Sequence, residues 1–365
     1  MKRDYEDLLQ QVKQGERITR DRALDLFKKP TPESLFYIGE AANISRKSRY
    51  GLRTTYINNL QVNPSNLCVR TCSFCDYAAL PGRTGIYSLK EDEILANITR
   101  VEPNEVHIVG GLNHEWNYQR SLGLVAEIRR RFPEIYIKAY TAVEIHWFAT
   151  LEKRPVDKIL VELREAGMDS LPGGGAEIFS ARMWEKHFKS KIGADDWLAV
   201  HEAAHKLDIP SNCTMLYGLG ETWEERVSHL FRLRELQDRT SGFVSFIPLA
   251  LQFGKDSDQS LSPLENLFVI AMARLVLDNI PHIKAYWPMI GTETAATALA
   301  YGADDLDGTL GLERIAHASG AKTPTQLAKE EMEKLILMAG HEPVERDGQY
   351  QPLGDQISQP LVMRA

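Results

Sequence analysis

From about Thr54 to residue 310 the sequence alternates short apolar runs, rich in β-branched residues, with longer stretches of helical periodicity. Seven segments are predicted to be strands: TTYINNLQV, EVHIVGG, IYIKAYTAV, MDSLPGG, NCTMLYG, GFVSFIPL and HIKAYWPM. The amphipathic segments between them are long enough for each crossover to return parallel to the strand before it. The alternation therefore predicts a parallel sheet covered by helices.

A further strand near ALAYGADDLDGT would close this sheet into a barrel. The alternative is an open doubly wound sheet. We favour an α/β fold of the (β/α) barrel type, complete or partial and TIM-like, because no linker divides residues 54–310. Residues 1–50 are predicted to be an N-terminal helical extension, and the Thr of ITRDRALDLF is a candidate helix cap. Residues 51–320 would form the barrel, and residues 321–365 a C-terminal helix and tail packed on it.

Composition excludes several classes of protein. Lys plus Arg number 43 and Asp plus Glu 50, a formal charge of −7, which argues against broad binding to nucleic acid or to an anionic membrane. No run approaches the ~20 apolar residues of a membrane-spanning helix, and the start MKRDYEDLLQQVKQGE lacks the apolar core of a secretory signal. Four cysteines in 365 residues are not a disulfide framework. We therefore expect a cytoplasmic protein.

Three of the four cysteines, Cys68, Cys72 and Cys75, follow the first predicted strand with the spacing C-x3-C-x2-C. Active sites of βα barrels lie at this rim. Three thiolates from one loop can hold three corners of an iron–sulfur cubane and leave the fourth iron open, whereas clusters that only carry electrons use four cysteines. A structural zinc site would need a fourth ligand, for which His107 or His114 is the candidate.

A second segment matches a metal-binding motif in its residue types but not in its surroundings. The segment VHEAAHK satisfies H-E-x-x-H with His201 and His205. Its helix leads into a predicted strand, and no third ligand stands nearby, so we interpret both histidines as ordinary helix-surface or helix–sheet residues. Cys213, within the predicted strand NCTMLYG, is interpreted as a small apolar residue.

The cysteine spacing with Phe74 before the last cysteine, C-x3-C-x-Φ-C, in the first loop of a βα barrel resembles the radical S-adenosylmethionine (SAM) superfamily. The resemblance implies a [4Fe–4S] cluster on Cys68, Cys72 and Cys75 whose open iron is chelated by the amino and carboxylate groups of SAM. Reductive cleavage of SAM would then yield a 5′-deoxyadenosyl radical.

Further segments match landmarks of that superfamily in order. HIVGG resembles the glycine motif that meets the methionine part of SAM, YGLGE the segment near the adenine, and TAVEI places a carboxylate at the third strand's end. Each glycine alone is more typical of a tight βα turn, and the ordered set carries the assignment. The cofactor-binding residues that the resemblance implies are Phe74, Tyr77, Gly110, Gly111, Glu144, Gly218 and Gly220.

A narrower resemblance covers most of the chain. LPGGGAEIF, TMLYGLGETWEERVSHL and ARLVLDNIPHIKAYWPMIG are similar to the radical SAM enzymes of the futalosine route to menaquinone and of deazaflavin cofactor assembly. KAYTAVEI, DLDGT followed by ERIAHASGA, and PVERD look most similar to the aminofutalosine synthases. The sister cyclase typically has a double acidic pair after its Gly-Thr turn, where this chain has GLE. Two departures from the usual pattern are Asp76-Tyr77 after the cysteines and Asn113-His114 after the glycines.

This resemblance implies that SAM is a co-substrate. The deoxyadenosyl radical would add to the enolpyruvyl double bond of 3-[(1-carboxyvinyl)oxy]benzoate, and the adduct would rearrange, lose carbon dioxide and become 6-amino-6-deoxyfutalosine. An electron donor such as flavodoxin or ferredoxin is expected. The alternatives are a sister enzyme (dehypoxanthine futalosine cyclase or the deazaflavin cofactor synthase) or a non-enzymatic iron–sulfur electron carrier or zinc-stabilised scaffold.

A dianionic aromatic substrate needs cationic or hydrogen-bonding groups and aromatic walls. Glu177 is expected either to approach the next helix N-terminus or to act in catalysis. Alternation within HIKAYWPM points Lys284 and Tyr286 the same way, and a buried Lys284 would need a carboxylate partner or the substrate. The catalytic candidates are His114, Tyr118 and Glu144, and the substrate-binding candidates are Arg83, His146, Lys284 and Trp287.

Overall fold

Residues 1–50 are predicted to be helical, and in their described part three helices precede the first strand. The computed structural model describes residues 2–28, 30–80, 82 and 84–354. Thr19 caps the second helix, because its hydroxyl oxygen accepts a hydrogen bond from the Arg22 backbone N–H at 3.3 Å. The cap predicted in ITRDRALDLF is thus confirmed. The helices are α1 (Lys2–Lys13), α2 (Arg20–Leu26) and α3 (Pro32–Tyr50).

Nine strands follow in the described part of the chain, and the paired neighbours among them are all parallel. Most strand residues are buried, because the inner side faces the barrel interior and the outer side is covered by helices. The strands are β1 (Arg53–Ile57), β2 (Asn59–Val62), β3 (Glu105–Ile108), β4 (Tyr136–Ala139), β5 (Ser211–Tyr217), β6 (Phe243–Ala250), β7 (His282–Ile283), β8 (Asp305–Gly308) and β9 (Glu342–Glu345).

The pairs continue around a closed ring. β8 pairs with β1, β2 with β3, and β3 with β4, while β5, β6 and β7 form another run. Only Asn58 separates β1 from β2, so the two strands occupy one position in the ring. Single bridges join the runs: Lys138 with Ser170, Leu171 with Ser211, and Lys284 with Asp305. The predicted TIM-like barrel is confirmed.

Some predicted strands differ in detail. MDSLPGG contributes only the two single bridges of Ser170 and Leu171, because a proline and three glycines follow and cannot support a regular ladder. HIKAYWPM is a strand only over its first two residues, and a short helix begins at Trp287. TTYINNLQV divides at Asn58, whose side-chain amide donates to the carbonyl oxygen of Glu102 at 3.1 Å.

The C-terminal region adds a strand that the sequence pattern does not show. β9 pairs in parallel with β1, with Arg53 opposite Glu342. Beyond it, Arg346 enters the bottom of the barrel, where its Nε lies 2.6 Å from Asp305 Oδ2 and its guanidinium lies 3.8 Å from the centre of the Tyr350 ring. Residues 355–365 of the predicted tail lie outside the described residues. The division at residues 50 and 320 stays a prediction.

Helices cover the outside of the ring. In the described part of the chain, none of them is long and apolar enough to cross a membrane. The remaining helices are α4 (Glu91–Val101), α5 (Tyr118–Arg131), α6 (Ala142–Glu152), α7 (Val156–Glu165), α8 (Ala181–Met183), α9 (Ala194–Lys206), α10 (Trp223–Thr240), α11 (Pro263–Val276), α12 (Trp287–Ile290), α13 (Thr292–Ala298), α14 (Ile315–Ala318) and α15 (Lys329–Met338).

Candidate active site

The carboxyl ends of the strands surround an open cavity of about 290 Å³. Three cysteines stand at its rim: Cys68 is buried, whereas Cys72 and Cys75 are half-buried, and all are free thiols. The fourth, Cys213, is buried in β5, where its Sγ lies 3.5 Å from the carbonyl oxygen of Ser245. The clustered cysteines and the cavity therefore form one site, and Cys213 packs in the barrel wall.

Backbone hydrogen bonds fix the cysteine loop, residues 68–77, to its surroundings. The Cys68 N–H donates to the carbonyl oxygen of Ala79 at 3.0 Å, and the Val69 N–H donates to that of Leu112 at 2.8 Å. Because Leu112 follows β3, the loop is tied to the next βα unit of the barrel. The backbone geometry of the loop thus depends on the fold and not on the cysteines alone.

A turn of π-helix, Trp184–Phe188, lies against the cysteine loop and is called the π-helical brace here. The Ser73 N–H donates to the carbonyl oxygen of His187 at 2.9 Å, and the Ser73 hydroxyl lies 2.7 Å from His187 Nδ1. The Phe74 ring packs edge-on against Phe188, with centroids 6.1 Å apart. Such turns are frequent at functional sites. No sequence pattern indicated this contact.

The two glycines after β3 bring that strand end close to the cysteine loop. A Cβ at Gly111 would lie 2.2 Å from the carbonyl oxygen of Leu67 and 3.1 Å from the Cys68 Cβ, so no side chain fits there. The Gly111 N–H donates to the Ser65 carbonyl oxygen at 2.8 Å. Gly110 and Gly111 both line the cavity.

Glu144 is a buried carboxyl group in the first turn of α6, beside these glycines. Its Oε1 accepts from the Gly110 N–H at 3.1 Å, and its Oε2 accepts from the N–H and hydroxyl of Thr141, both at 2.8 Å. Burial raises the pKa of Glu144 to about 7, although these three hydrogen bonds favour the charged form. The carboxyl lines the cavity and can change its charge near neutral pH.

The floor of the cavity carries two buried ion pairs. Lys138 Nζ lies 2.7 Å from Glu105 Oε2, and Lys284 Nζ bonds to the Asp307 carboxylate. Burial alone would raise the pKa of Glu105, but the charges of Lys138, Lys284 and Arg346 lower it to about 2. The sequence left open whether a carboxylate or the substrate would pair with Lys284. Asp307 is a partner within the chain.

Three polar side chains on neighbouring strands share one level of the barrel interior, and this set is called the inner rung. The strand register places Gln61 beside His107 and His107 beside Lys138. Each is the penultimate residue of its strand, and all three line the cavity. Burial, with the adjacent charge of Lys138, lowers the pKa of His107 to about 4, so its imidazole is neutral at pH 7. The sequence pattern indicates His107 only as a possible zinc ligand and gives no signal for Gln61.

A third ion pair lies nearer the rim. The Lys191 ammonium bonds to the Glu177 carboxylate, and both side chains line the cavity. Glu177 has φ = 48°, a conformation that is unfavourable for a residue with a side chain. Ser180, not Glu177, caps α8. Lys191 also lies 5.9 Å from the centre of the Phe74 ring, and no sequence signal identified it.

The residues assigned to the cofactor fall into two groups. Gly218 and Gly220 do not line the cavity: their φ values of 101° and 95° form the turn after β5, and the Gly218 N–H donates to Glu221 Oε1 at 2.8 Å. This is the tight-turn role expected of such glycines taken alone. The structure brings together at the cavity Phe74, Tyr77, Gly110, Gly111 and Glu144.

Two of the three catalytic candidates lie away from the cavity. Tyr118 is buried at the start of α5, and its hydroxyl donates to Glu162 Oε2 of α7 at 2.6 Å. His114 is exposed, and its ring centroid lies 5.6 Å from that of Trp147. His114 therefore lies on the rim loop after β3, as predicted, whereas Tyr118 begins α5. Of the three candidates, Glu144 lines the cavity, and the catalytic assignments stay predictions.

The substrate candidates also separate. Lys284 lines the cavity, and Arg83 lies outside the described residues. Trp287 is buried behind the strands, where its Nε1 donates to the carbonyl oxygen of Gly308 at 3.0 Å. His146 lies on α6 away from the cavity lining, with its Nδ1 3.5 Å from the Thr150 hydroxyl. Among the three of these candidates that the structure describes, only Lys284 lines the cavity.

The H-E-x-x-H histidines are packing residues. His201 Nδ1 and His205 Nε2 each lie 2.8 Å from the Ser211 hydroxyl, at the contact between α9 and β5. Burial lowers the pKa of His205 to about 4. Within the described residues, no three His, Cys, Asp or Glu side chains are arranged around one metal ion. The helix–sheet interpretation of these histidines is confirmed.

Family comparisons agree with this geometry. The family model of the Radical SAM superfamily matches residues 62–233, and that of the CofH/MqnC C-terminal region matches residues 240–358. The solved structure of methylornithine synthase (PylB) superposes with a TM-score of 0.75 at 17% identity, covering 92% of this chain and 97% of that one, which shows the fold alone.

Curated relatives match over nearly their whole length. An aminodeoxyfutalosine synthase of Thermus thermophilus is 40% identical over 355 residues, with 94% of each chain covered. One of Streptomyces coelicolor is 37% identical, covering 95% of this chain and 93% of its own. A cyclic dehypoxanthine futalosine synthase of the same species is 33% identical, covering 96% and 90%. The chain therefore belongs to the radical SAM superfamily and, within it, to the enzymes that carry the CofH/MqnC C-terminal region.

Proposed function

We infer that this chain catalyses the reaction of the aminodeoxyfutalosine synthases. In that reaction the 5′-deoxyadenosyl group of SAM adds to 3-[(1-carboxyvinyl)oxy]benzoate, and rearrangement with loss of carbon dioxide gives 6-amino-6-deoxyfutalosine for menaquinone biosynthesis. One structural observation carries the inference: the three free thiols open into the same cavity as a polar barrel floor. SAM cleavage and capture of the radical by a second molecule can then occur in one enclosed space.

We assign Cys68, Cys72 and Cys75 as the ligands of a [4Fe–4S] cluster, which the superfamily implies. The donor set supports this assignment, because three thiols from one loop suit a cluster with one iron left free. The close approach of Gly111 to the cysteine loop supports it too, because a side chain at position 111 would collide with Leu67 and Cys68. Bound there, the cluster supplies the electron that cleaves SAM.

We assign the SAM site to Phe74, Tyr77, Gly110, Gly111 and Glu144. Their common place on the cavity wall next to the cysteines supports the assignment. Tyr77 belongs to the pair that replaces the usual Ala-Phe after the cysteines. Its hydroxyl donates to the Ser65 carbonyl oxygen at 2.9 Å, which fixes the position of the ring. Glu144 can accept a hydrogen bond from a ligand amino or hydroxyl group, and the glycines leave their backbone groups accessible.

The remaining task of the chain is to orient the reactants and to exclude water from the radical. The cavity is suited to this task, because its apolar wall of strand and loop residues surrounds a small number of paired charges. The paired state of Lys284 and Lys138 keeps the floor from attracting bulk water as isolated charges would. We expect the benzoate ring to lie between the apolar walls.

Similarity favours this activity over that of the sister enzymes. Identity is 40% and 37% to the two aminodeoxyfutalosine synthases and 33% to the cyclic dehypoxanthine futalosine synthase. The turn after β8 reads Gly311-Leu312-Glu313, without the double acidic pair expected of the cyclase. Glu313 accepts hydrogen bonds from the backbone N–H groups of Ile315 and Ala316 at 2.8 and 2.9 Å. The one acidic residue in this turn therefore caps the N-terminus of α14.

We also propose a reducing compartment, the cytoplasm, and an electron carrier such as flavodoxin or ferredoxin as the reductant. Three unpaired thiols within one loop support the first proposal, because they would form disulfides in an oxidising compartment. The need of the superfamily for one electron in each cleavage supports the second.

The test is an anaerobic assay with protein reconstituted with iron and sulfide. With reductant, SAM and the enolpyruvyl benzoate, the expected products are an adenosylated benzoate of the mass of aminodeoxyfutalosine, methionine and carbon dioxide. Formation of 5′-deoxyadenosine with a futalosine-derived substrate would reassign the chain to the cyclase. Tight binding of zinc, no cluster absorbance and intact SAM would overturn the enzymatic function.

A further inference from the structure

Two of the clustered cysteines accept hydrogen bonds from nearby backbone groups. The Arg70 backbone N–H donates to Cys68 Sγ at 3.4 Å. Burial raises the pKa of the Cys75 thiol to about 11, and a hydrogen bond from the Ala78 backbone acts in the opposite direction. Backbone donors are present whatever side chains the loop carries, so the fold alone sets these two contacts.

The third cysteine, Cys72, has a side-chain donor instead. Burial raises the pKa of its thiol, whereas the charge of Lys191 and a hydrogen bond from the Ser190 hydroxyl act to lower it. A donor that acts in this direction favours the sulfur that carries negative charge. Ser190 lies between the π-helical brace and α9, so this donor comes from a different part of the barrel than the cysteine loop.

A second contact fixes the Ser190 hydroxyl beside Cys72. Its Oγ accepts a hydrogen bond from the Thr71 backbone N–H at 3.0 Å, and Thr71 immediately precedes the cysteine. This bond uses a lone pair of the oxygen, so the hydroxyl proton remains free to donate. The position of the hydroxyl thus agrees with a bond from Ser190 to the sulfur.

The same segment also holds the chain that follows Cys72. The Ser73 N–H donates to the carbonyl oxygen of His187 at 2.9 Å, and the Ser73 hydroxyl lies 2.7 Å from His187 Nδ1. The backbone N–H groups on both sides of Cys72 are therefore bonded to residues 187–190. Cys72 cannot move away from Ser190 without breaking one of these bonds.

A hydrogen bond to a sulfur that ligates an iron–sulfur cluster changes its reduction potential. An added electron makes the cluster and its thiolate ligands more negative, and a donor stabilises this extra charge. Each donor therefore raises the potential, so a weaker reductant suffices to load the electron. The backbone sets two of the three donors described here, whereas the third depends on the side chain at position 190.

We propose that Ser190 donates a hydrogen bond to the Cys72 thiolate and thereby raises the reduction potential of the cluster. One electron enters from the electron carrier proposed above and leaves when the carbon–sulfur bond of SAM breaks. Ser190 changes only the potential at which this electron is taken up. The proposal rests on the proposed function, because it takes the three cysteines as cluster ligands.

Ser190→Ala tests the proposal, because it removes the donor and leaves all three thiols. One hydrogen bond between neutral groups changes an equilibrium roughly two- to tenfold. The ratio of reduced to oxidised cluster at a given potential should fall by this factor. A tenfold fall corresponds to a shift of about 59 mV to a more negative potential for a one-electron couple. A redox titration of the reconstituted protein without SAM, followed by electron paramagnetic resonance, measures the shift.

Two further variants separate the hydroxyl from the geometry of the loop. Ser190→Thr keeps a hydroxyl at this position and should keep the wild-type potential. Ser73→Ala is the matched control, because it removes a hydroxyl that bonds to His187 on the other side of Cys72. Both Ser→Ala variants weaken the contact of the cysteine loop with residues 187–190, so both should release iron to a chelator faster than wild type. Only Ser190→Ala should shift the potential.

Several results would overturn the proposal. A wild-type potential in Ser190→Ala would show that the hydroxyl does not act on the cluster. An equal shift in Ser73→Ala or in Ser190→Thr would assign the effect to loop geometry. Complete loss of the cluster from Ser190→Ala would show that the serine only holds Cys72 in place.

These outcomes separate the role of Ser190 from the proposed function. If the wild-type protein takes up no iron–sulfur cluster, the proposed function fails and the role of Ser190 fails with it. If the wild-type protein binds the cluster and forms the adenosylated product, while Ser190→Ala keeps the wild-type potential, only the role of Ser190 is wrong.

Discussion

The rim and the floor of the barrel cavity are built in opposite ways. At the rim, the thiols of Cys72 and Cys75 are half-buried and free, and backbone hydrogen bonds hold their loop. At the floor, the buried charges of Lys138, Lys284 and Arg346 are all bonded to carboxylates of the chain. The thiols at the rim are therefore available to bind a cofactor, whereas the charged groups at the floor are neutralised by partners within the chain.

This difference separates reactivity from stability. Residues at the rim should be removable with little loss of fold, because their side chains form few internal contacts. Residues at the floor should affect folding strongly, because a buried charge that loses its partner destabilises the native state. The inner rung is the exception, since Gln61 is as deep as the ion pairs yet has an unpartnered oxygen.

The largest expected effect on activity, without an effect on folding, comes from Cys72→Ala at the rim. This variant should lose cluster binding and all turnover, because two thiols cannot hold the cubane that the superfamily implies. Its unfolding midpoint, measured by circular dichroism on the apo form, should match that of the wild type. Iron content and visible absorbance after anaerobic reconstitution report the cluster directly.

Cys213→Ala is the counterpart from the barrel wall. It should keep the full iron content and turnover, and should lower the free energy of unfolding by about 1 kcal/mol, because a small cavity replaces a buried sulfur. The comparison breaks if the Cys213 variant loses iron or if the Cys72 variant fails to fold.

The second prediction concerns the bottom of the barrel. Arg346→Met leaves the Asp305 carboxylate buried with one partner fewer, so the free energy of unfolding should fall by about 3–5 kcal/mol. Urea denaturation measures this loss. Lys189→Met, which removes an exposed ion pair with Glu185, should leave the midpoint unchanged. Equal stability of the two variants would contradict the distinct role of the floor.

The last prediction is a pH dependence carried by Glu144, which is largest at neutral pH and vanishes toward pH 4.5. Its pKa is about 7 in the folded chain and 4.5 in the reference state, so between these values the folded state binds more protons. Its contribution therefore lowers stability as pH rises from 4.5 to 7, by at most about 3 kcal/mol. In Glu144→Gln this contribution disappears, and the variant should gain stability relative to wild type over that range.

The control for this prediction is the difference between the two proteins at pH 4.5, where both carry an uncharged side chain at position 144 in the folded state. Urea denaturation of the apo proteins at several pH values gives both curves. A constant difference across the whole range would show that the Glu144 carboxyl does not titrate there.

The order of strands and the cysteine site could be predicted from the sequence because both depend on local patterns. Alternation in HIKAYWPM indicated that Lys284 and Tyr286 share one face, and both side chains line the cavity. The roles of Tyr118 and Trp287 could not be predicted, since both aromatic side chains turn toward helices or strand backs that only the tertiary fold brings near. Lys191 follows the π-helical brace, in a segment without periodicity, and its pairing with Glu177 is a contact of the fold.

The pairing of β9 with β1 has a consequence for how the chain folds. Arg53 and Glu342 are neighbours in the sheet although residues 54–341 lie between them in the chain. Contacts of such long sequence separation form slowly, because the entropy of closing the intervening chain is lost before any contact is gained. During synthesis on the ribosome, β1 cannot pair with β9 until the C-terminal region has emerged. Asp305 likewise remains without Arg346 until then, so the bottom of the barrel is incomplete in the nascent chain.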